Sequence, residues 1–349
     1  MSEIIDNSAP LQTQFLPSKF VNREDELAVL QAQLSNITEN SSRNLHIYGL
    51  RGTGKTHLTH SVLEETSSQA NTCYILCSHY DTEYKVLKRI YEEITQEKIN
   101  TGYHVSDLQR KIEERTSTVD TVIVLDEIDF LLEKNGDSLL YTLSRHENKE
   151  KLSIITISAN HSDLPVEERT KSSLQTQTIN FPQYTAEEIY KILLQRAEDS
   201  LKPRSVHQNA LTYISSKTSN AKIGLHLLHT AAENTDDFID EELVQNVQDK
   251  AYRRYADELL EPFTPHHKRV YQAIEELTEE QNTVVQSGEI YNRYQELCKT
   301  YKEDSLSQRR ISDYLKHLET LNLIKAEYHY GGNKGKTREI QLQNTPHSL

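Results

Sequence analysis

Apolar positions along the chain change their period several times, and each change marks out an element. The segment Asn22-Arg-Glu-Asp-Glu-Leu reads as a helix start, with Asn22 as N-cap, carboxylates in the first turn and Leu27, Leu30 and Leu34 on one face. An apolar run, Leu45-His-Ile-Tyr, then leads through a glycine-rich turn into a helical pattern from Lys55 to about Thr66. Runs of strand length recur at Thr72 to Ser78, Val119 to Leu125, Leu152 to Ser158 and Thr176 to Phe181, with helical segments between most of them. Strands alternating with helices predict an α/β fold with a parallel sheet covered on both faces.

After Pro182 the strand pattern stops. Thr185-Ala-Glu-Glu is a capping box that opens a helix with Ile189, Ile192 and Leu193 on its apolar face, and further helices run to about Leu260. Pro262 and Pro265 mark a boundary. Beyond it the order is helix (about Pro265 to Leu277), helix (about Gly288 to Tyr301), helix (Leu306 to Leu321), then a hairpin pairing Leu323 to Tyr328 with Thr337 to Leu342. Three helices and a basic hairpin predict a winged helix-turn-helix. Residues 1–15 lack periodicity and are expected to be a flexible arm. The expected organisation is that arm, an α/β domain over 16–183, an all-helical lid over 184–261 and a winged-helix domain over 262–349.

Composition narrows the class. A chain of 349 residues, 36% hydrophobic and 26% charged with 10 Gly and 8 Pro, is a multidomain globular protein, not collagen-like, low-complexity or disordered. Its apolar runs fall far short of the roughly 18 residues a membrane helix needs, so neither a membrane span nor a signal peptide is expected. Three cysteines supply no disulfide framework and point to the reducing cytoplasm. Cys73, Cys77 and His79 resemble a ligand set, but they alternate with period two, as one face of a buried strand does; His226 and His229 on a helix are likewise assigned to structure. The net charge of −14 repels nucleic acid on average, yet it lies wholly upstream of Pro262: residues 1–261 hold 27 Lys and Arg against 41 Asp and Glu, and residues 262–349 hold 12 of each. Within 306–338 seven basic residues face three acidic ones, a local basic patch.

Gly49-Leu-Arg-Gly-Thr-Gly-Lys55-Thr56 fits GxxxxGK[ST] between a strand and a helix, the context a phosphate-binding loop requires. Gly49, Gly52 and Gly54 let the backbone turn its N–H groups on phosphate, Lys55 neutralises the β/γ oxygens and the Thr56 hydroxyl ligates Mg²⁺. Val122-Ile-Val-Leu-Asp126-Glu127-Ile-Asp129 is a buried strand ending in acids, where Asp126 belongs to the Mg²⁺ shell and Glu127 serves as base for an attacking water; Asp129 is read as a helix cap. Asn160 ends the following strand, where an amide can orient the lytic water or simply suit a turn.

These motifs, with the tracts Arg169-Thr-Lys-Ser-Ser-Leu and Phe181-Pro-Gln-Tyr-Thr-Ala-Glu-Glu-Ile and the stretch Gln308-Arg-Arg-Ile-Ser-Asp-Tyr-Leu, resemble in content and order the archaeal origin-recognition (Orc/Cdc-type) replication initiators of the AAA+ class, over about Phe15 to Leu342. The resemblance implies an AAA+ P-loop NTPase fold with ATP or ADP held by Thr53 to His57, Tyr184 against the adenine and Arg196 near the nucleotide. It places Pro17 to Arg23 as an adenine-side lip. Thr82 to about Glu114 takes the place of a DNA-contacting insertion, although Lys85, Lys88, Arg89 and Lys98 there also suit a solvated helix face. Where that family has an arginine opening a lid helix and reaching the γ-phosphate, this chain has Lys222, which keeps the charge but loses the bidentate fork, so a slow or nucleotide-retaining ATPase is expected.

Double-stranded origin DNA, a replicative helicase and self-association on DNA are the implied partners, in a nucleoid-associated cytoplasmic protein. For DNA, Ser307, Arg309, Arg310 and Ser312 are left on the outer face of a helix whose Ile311, Leu315 and Leu318 face the core, and Lys334, Lys336 and Arg338 surround the wing tip. The alternatives are a basic hairpin without DNA and, for the whole chain, a winged-helix transcription regulator with nucleotide as a structural ligand, or an initiator paralogue.

Overall fold

A computed structural model describes residues 2–35, 44–66, 70–99, 102–146, 148, 151–281, 284–329 and 337–343. The chain runs through α1 (Glu24–Ser35), β1 (Leu45–Tyr48), α2 (Lys55–Thr66), β2 (Asn71–Leu76), α3 (Glu83–Thr95), α4 (Val105–Thr116), β3 (Thr121–Asp126), α5 (Asp129–Leu132), α6 (Asp137–Ser144), β4 (Leu152–Ser158), α7 (Glu168–Leu174) and β5 (Gln177–Asn180). The strands form one parallel sheet in the order β2-β3-β4-β1-β5. Every residue of β3 and β4 is buried, which is why both read as unbroken apolar runs: helices cover the two faces. Cys73, Ile75, Ile123 and Leu125 pack with Val86, Ile90 and Leu108 of α3 and α4, while Ile47, Val122, Val124 and Ile157 pack with Leu58 and Val62 of α2 and with Leu30 and Leu34 of α1. β4 lies between β1 and β3, with Ile47 beside Ile157 and Leu125 beside Thr156, so the ends of β1 and β3 stand one strand apart.

Cys73 and Cys77 are buried structural thiols, and burial pushes both up, the reverse of what a metal-binding thiolate needs. His79 lies in the turn past β2, exposed. Four helices follow the sheet: α8 (Ala186–Ser200), opened by the expected Thr185 and Glu188 capping box, α9 (Gln208–Lys217), α10 (Ala221–Glu233) and α11 (Glu241–Leu260). The last segment contains α12 (Pro265–Gln281), β6 (Val285–Gln286), α13 (Ser287–Tyr301), α14 (Gln308–Thr320), β7 (Ile324–His329) and β8 (Thr337–Leu342). Its three strands pair antiparallel in the order β6-β8-β7. At two residues, β6 is too short to show a period in sequence. Among the described residues no helix is long and apolar enough to cross a membrane.

The N-terminal segment corrects an expectation. Residues 2–15 are not a free arm: Ile4 and Leu11 are buried in the core of the helical segment, and the backbone pairs through Lys202 N to Ile4 O (2.9 Å) and Asp6 N to Ser200 O (2.9 Å). Arg196 of α8 clamps the segment, donating from Nη2 to Phe15 O (2.9 Å) and from Nη1 to Pro10 O (3.3 Å) with its guanidinium over the Phe15 ring. Two apolar anchors seven residues apart make no periodic pattern, so their burial is decided by the surface they meet. Replacing Arg196 by Ala leaves both carbonyls without their charged donor, and a loss of about 1.5–3 kcal/mol of stability is expected. Denaturant unfolding checks the magnitude; limited proteolysis should cut residues 1–15 faster in the variant, and unchanged cleavage would contradict the clamp.

Candidate functional site: a P-loop cleft and a winged-helix face

The loop from β1 to α2 depends on glycine. Gly52 and Gly54 have φ of +78° and +94°; a Cβ on Gly52 would lie 1.9 Å from Asn220 Oδ1, and one on Gly54 2.8 Å from the Tyr184 hydroxyl. The loop is thus pressed against Tyr184 and against the N-terminus of α10, where Ala221 N donates to Gly52 O (3.2 Å). Lys55 opens α2 with its ammonium buried beneath the loop, donating to Gly49 O and to Leu50 O (2.8 Å for the latter). Burial lowers its pKa to about 8, against the attraction of Asp126.

Because β4 separates β1 from β3, the end of β3 arrives opposite the start of α2. Thr56 Oγ1 donates to Asp126 Oδ2 at 2.8 Å, the Tyr74 hydroxyl donates to the same oxygen, and Glu127 N donates to Asp126 Oδ1 at 2.8 Å. Burial raises the Asp126 pKa and the neighbouring Glu127 charge adds to it. A hydroxyl and a carboxylate side by side at the foot of a phosphate loop are hard oxygen donors of the kind Mg²⁺ takes, so the residues fit that ion. Glu127 stands at φ +53°, outside the strand, with its carboxylate on the Arg51 guanidinium. Burial pushes its pKa up, but the Arg51 charge, with the hydrogen bond from Arg51, outweighs that and holds it below the usual carboxylate range.

Tyr184, Arg196, His57 and Lys222 also line the cleft. The Tyr184 ring lies under the guanidinium of Arg23, 4.1 Å away, and Arg23 in turn donates to Thr53 O (3.1 Å), Asn22 O (2.8 Å) and Pro182 O (2.8 Å). Arg23 therefore ties entry segment, phosphate loop and hinge together. The sequence reading includes it only as the end of a segment, since nothing in a lone Arg shows three carbonyls waiting for it. Burial drops the His57 pKa to about 4, so its ring is neutral. Asn22 is left-handed (φ +49°) and bonds Glu188, so it does not cap α1.

Four expectations change at the rim. Lys222 does not reach toward the loop: its Nζ donates to Glu258 Oε1 (3.1 Å), and Glu258 also accepts from His226 Nε2 (2.9 Å) and Thr13 Oγ1 (2.7 Å). Arg196 faces the cleft, but the hydrogen bonds described for its guanidinium go to the N-terminal segment. Asn160, expected beside the phosphate, instead donates from Nδ2 to Thr320 O (3.0 Å) and accepts from Asn322 Nδ2 (3.1 Å), both in the winged-helix segment, while Ser158 and Ala159 line the cleft. Asp129 is not a helix cap; it is buried and accepts from Ser158 Oγ (2.7 Å) and Ala159 N (3.0 Å), pinning the tip of β4. Neighbouring elements claim each of these side chains, which local sequence cannot reveal.

On the winged helix, α14 buries Ile311, Leu315 and Leu318 and leaves Ser307, Arg309, Arg310 and Ser312 exposed, as the spacing predicts. Arg338 departs from expectation: it is buried and paired with Glu319 (2.7 Å), because alternation along β8 turns it, with Ile340, toward α14. It buttresses the hairpin and is not a surface cation. Lys334 and Lys336 lie outside the described residues. On α3, Lys85, Lys88 and Arg89 each pair with a carboxylate four residues away, Asp81, Glu92 and Glu93, as on a solvated helix face. His229 pairs with Glu233 (3.3 Å), in keeping with a structural role.

Cleft and face together define the class: a P-loop nucleotide-binding domain of AAA type joined through a helical segment to a winged helix. Residues 38–163 match the family described as AAA domain, and residues 258–349 that described as CDC6, C terminal winged helix domain. The chain is 31% identical over 365 residues to ORC1-type DNA replication protein 1 of Sulfurisphaera tokodaii, covering 98% of this chain and 90% of that protein. It is 29% identical to the ORC1-type DNA replication protein of Pyrococcus abyssi, covering 99% and 89%. The solved structure of the Aeropyrum pernix ORC1 protein in complex with DNA superposes with a TM-score of 0.77 at 29% identity over 98% of this chain and 94% of that one. Cdc6p from Pyrobaculum aerophilum shares the fold, with a TM-score of 0.62 at 18% identity over 98% and 95%. The chain belongs to the ORC1-type DNA replication proteins.

The Glu258 junction generates a pH prediction. Burial raises its pKa, but the His226 hydrogen bond and the Lys222 charge overcome this and hold it at about 2. A carboxyl depressed in the folded state stabilises it above its ordinary value of about 4.5, and that contribution is lost as pH falls from there toward about 2. Glu258→Gln should therefore lower stability at pH 7 by about 1–3 kcal/mol. The gap to wild type should close as pH drops below 4.5, and a melting-temperature difference constant with pH would refute the assignment.

Proposed function

We propose that the protein is a nucleotide-switched DNA replication initiator: it binds ATP in the cleft, grips origin DNA with the winged helix, hydrolyses ATP slowly and helps load the replicative helicase, self-associating on the DNA. The observation that carries this is the convergence of Lys55, the Thr56 and Asp126 pair and Glu127 on one cleft, in a chain that also presents an exposed Arg309 and Arg310 on a winged helix. Lys55 exchanges its two loop carbonyls for β- and γ-phosphate oxygens, the backbone from Gly49 through Gly54, Thr53 and His57 cradles the phosphates, and the Tyr184 ring meets the base. Thr56 and Asp126 would hold Mg²⁺, which supplies neutralising charge for the phosphates. Glu127 accepts the proton of the attacking water.

The complex of the Aeropyrum pernix ORC1 protein with DNA supports the DNA assignment, and membership of the ORC1-type DNA replication proteins supports the role in replication. Origin DNA as the target, helicase loading and a nucleoid-associated place in the cytoplasm belong to the same proposal. Ser307, Arg309, Arg310 and Ser312 meet the major groove or its phosphates. Lys334 and Lys336 at the wing contact the backbone or minor groove. Asn160 orients the lytic water and Lys222 meets the γ-phosphate only once each leaves its present partner, so both belong to a later, closed state of the lid.

Footprinting on genomic fragments tests the whole: protection at a replication origin is expected, and protection only at promoters would favour a transcription regulator. Lys55→Ala should lose most ATP affinity. Glu127→Gln should keep ATP bound yet stop its hydrolysis, because an amide cannot accept the proton; wild-type single-turnover rates in that variant would remove Glu127 from the chemistry. For DNA, replacing Arg309 and Arg310 by Ala should erode discrimination between specific and random duplexes by about 1–3 kcal/mol for each guanine edge no longer read. Replacing Lys334 and Lys336 should instead weaken all duplexes and flatten the salt dependence by about one unit for each phosphate no longer neutralised. Titrations at several salt concentrations separate the two, and binding like wild type in all variants would move the DNA site elsewhere.

A further inference from the structure

Arg51 stands between the first two glycines of the phosphate loop, and its side chain has no part in the backbone cradle or the Mg²⁺ pair. Its side chain enters the cleft, only 11% exposed, and its Nη1 is bound to Glu127. Among the described residues its Nε and Nη2 have no hydrogen-bond partner although both are buried. Those two nitrogens form one edge of the guanidinium, with parallel N–H bonds spaced to meet two oxygens of one carboxylate or phosphate. An arginine edge buried without an acceptor is costly and calls for one. Three other cations that line the cleft are differently placed: Lys55 lies beneath the loop on Gly49 and Leu50, Lys222 is held by Glu258, and Arg196 by the Pro10 and Phe15 carbonyls.

The side chain lines the cleft beside Glu127 with this edge unpartnered, and Glu127 is the group proposed for the water that attacks the terminal phosphate. We propose that Arg51 reads that phosphate, its Nε and Nη2 edge taking two γ-oxygens of a nucleoside triphosphate while Nη1 keeps hold of Glu127. This rests on the nucleotide-binding role proposed for the cleft. A nucleoside diphosphate offers nothing at that position, so Arg51 sets the preference for triphosphate over diphosphate, the task that a lid arginine would perform if Lys222 did not stand in its place. Glu127 stays ion-paired in the triphosphate state, which restrains it as a base and favours a long-lived ATP complex over rapid turnover.

The test is calorimetric titration of the full chain with ADP and with a non-hydrolysable ATP analogue, both with Mg²⁺, for wild type, Arg51→Ala, Arg51→Lys and Lys222→Ala. Arg51→Ala should bind the triphosphate analogue about tenfold or more weakly, as expected when a bidentate charged interaction is removed, while ADP affinity stays within about twofold and so reports an intact fold. Arg51→Lys should recover part of the preference, since the charge returns without the fork. An unchanged ratio of triphosphate to diphosphate affinity in Arg51→Ala overturns the proposal, as does a ratio that collapses in Lys222→Ala alone. Wild-type protein that binds neither nucleotide would sink the nucleotide role of the cleft itself, a result distinct from either of these.

Discussion

The hydrogen bond from Thr56 to Asp126 is the interaction around which the rest of the molecule is arranged. It can form only because β4 lies between β1 and β3, so that the helix leaving β1 and the acids ending β3 reach the same point from opposite sides of an inserted strand. The register fixes the depth of the meeting: Tyr48, Ser158 and Asp126 end their strands at one edge of the sheet, where a parallel arrangement gathers all its strand termini. Asp129 then holds the β4 tip against that edge.

Several charged groups in and beside the cleft are held by partners, and this shapes what a ligand must do. Glu127 has Arg51 and Glu258 has Lys222, while Lys55 has two carbonyls. A buried charge stripped of its partner is unfavourable by several kcal/mol, so the pairs keep the protein stable with the cleft open to solvent. A phosphate chain entering the site replaces one set of acceptors by a better one. The helical segment meets the phosphate loop through Asn220, which caps α10 while its Oδ1 occupies the space beside Gly52 that a side chain would need.

The winged helix is joined to this machinery by direct packing. Asn160 at the end of β4 bonds Thr320 and Asn322, and Phe130 of α5 packs against Phe263 (5.5 Å between centroids) and edge-on against His317. His267 and His317 stack and share a hydrogen bond of 3.0 Å; burial, helped by the proximity of other cations, keeps both neutral, with pKa values of about 3 and about 4. Asn160, which in sequence could equally orient a water or suit a turn, thus holds the winged-helix segment.

Most elements were legible from period alone, β6 excepted: α/β alternation, the helices from Thr185 onward and the apolar face of α14 with its exposed Arg309 and Arg310. So were Lys55, Thr56, Asp126 and Glu127, because a phosphate loop and a strand ending in acids are local patterns whose chemistry is set by neighbours in sequence. Arg196, Asn160, Asp129 and Arg338 were placed by tertiary structure, each drawn to a partner between roughly 19 and 186 residues away that no window contains. The same holds for the N-terminal segment, where Ile4 and Leu11 are unremarkable until a helical surface buries them. A sequence states which groups can donate, accept or hide from water; which of several eligible partners each one takes is a matter of distance, and distance exists only once the strands have found their order.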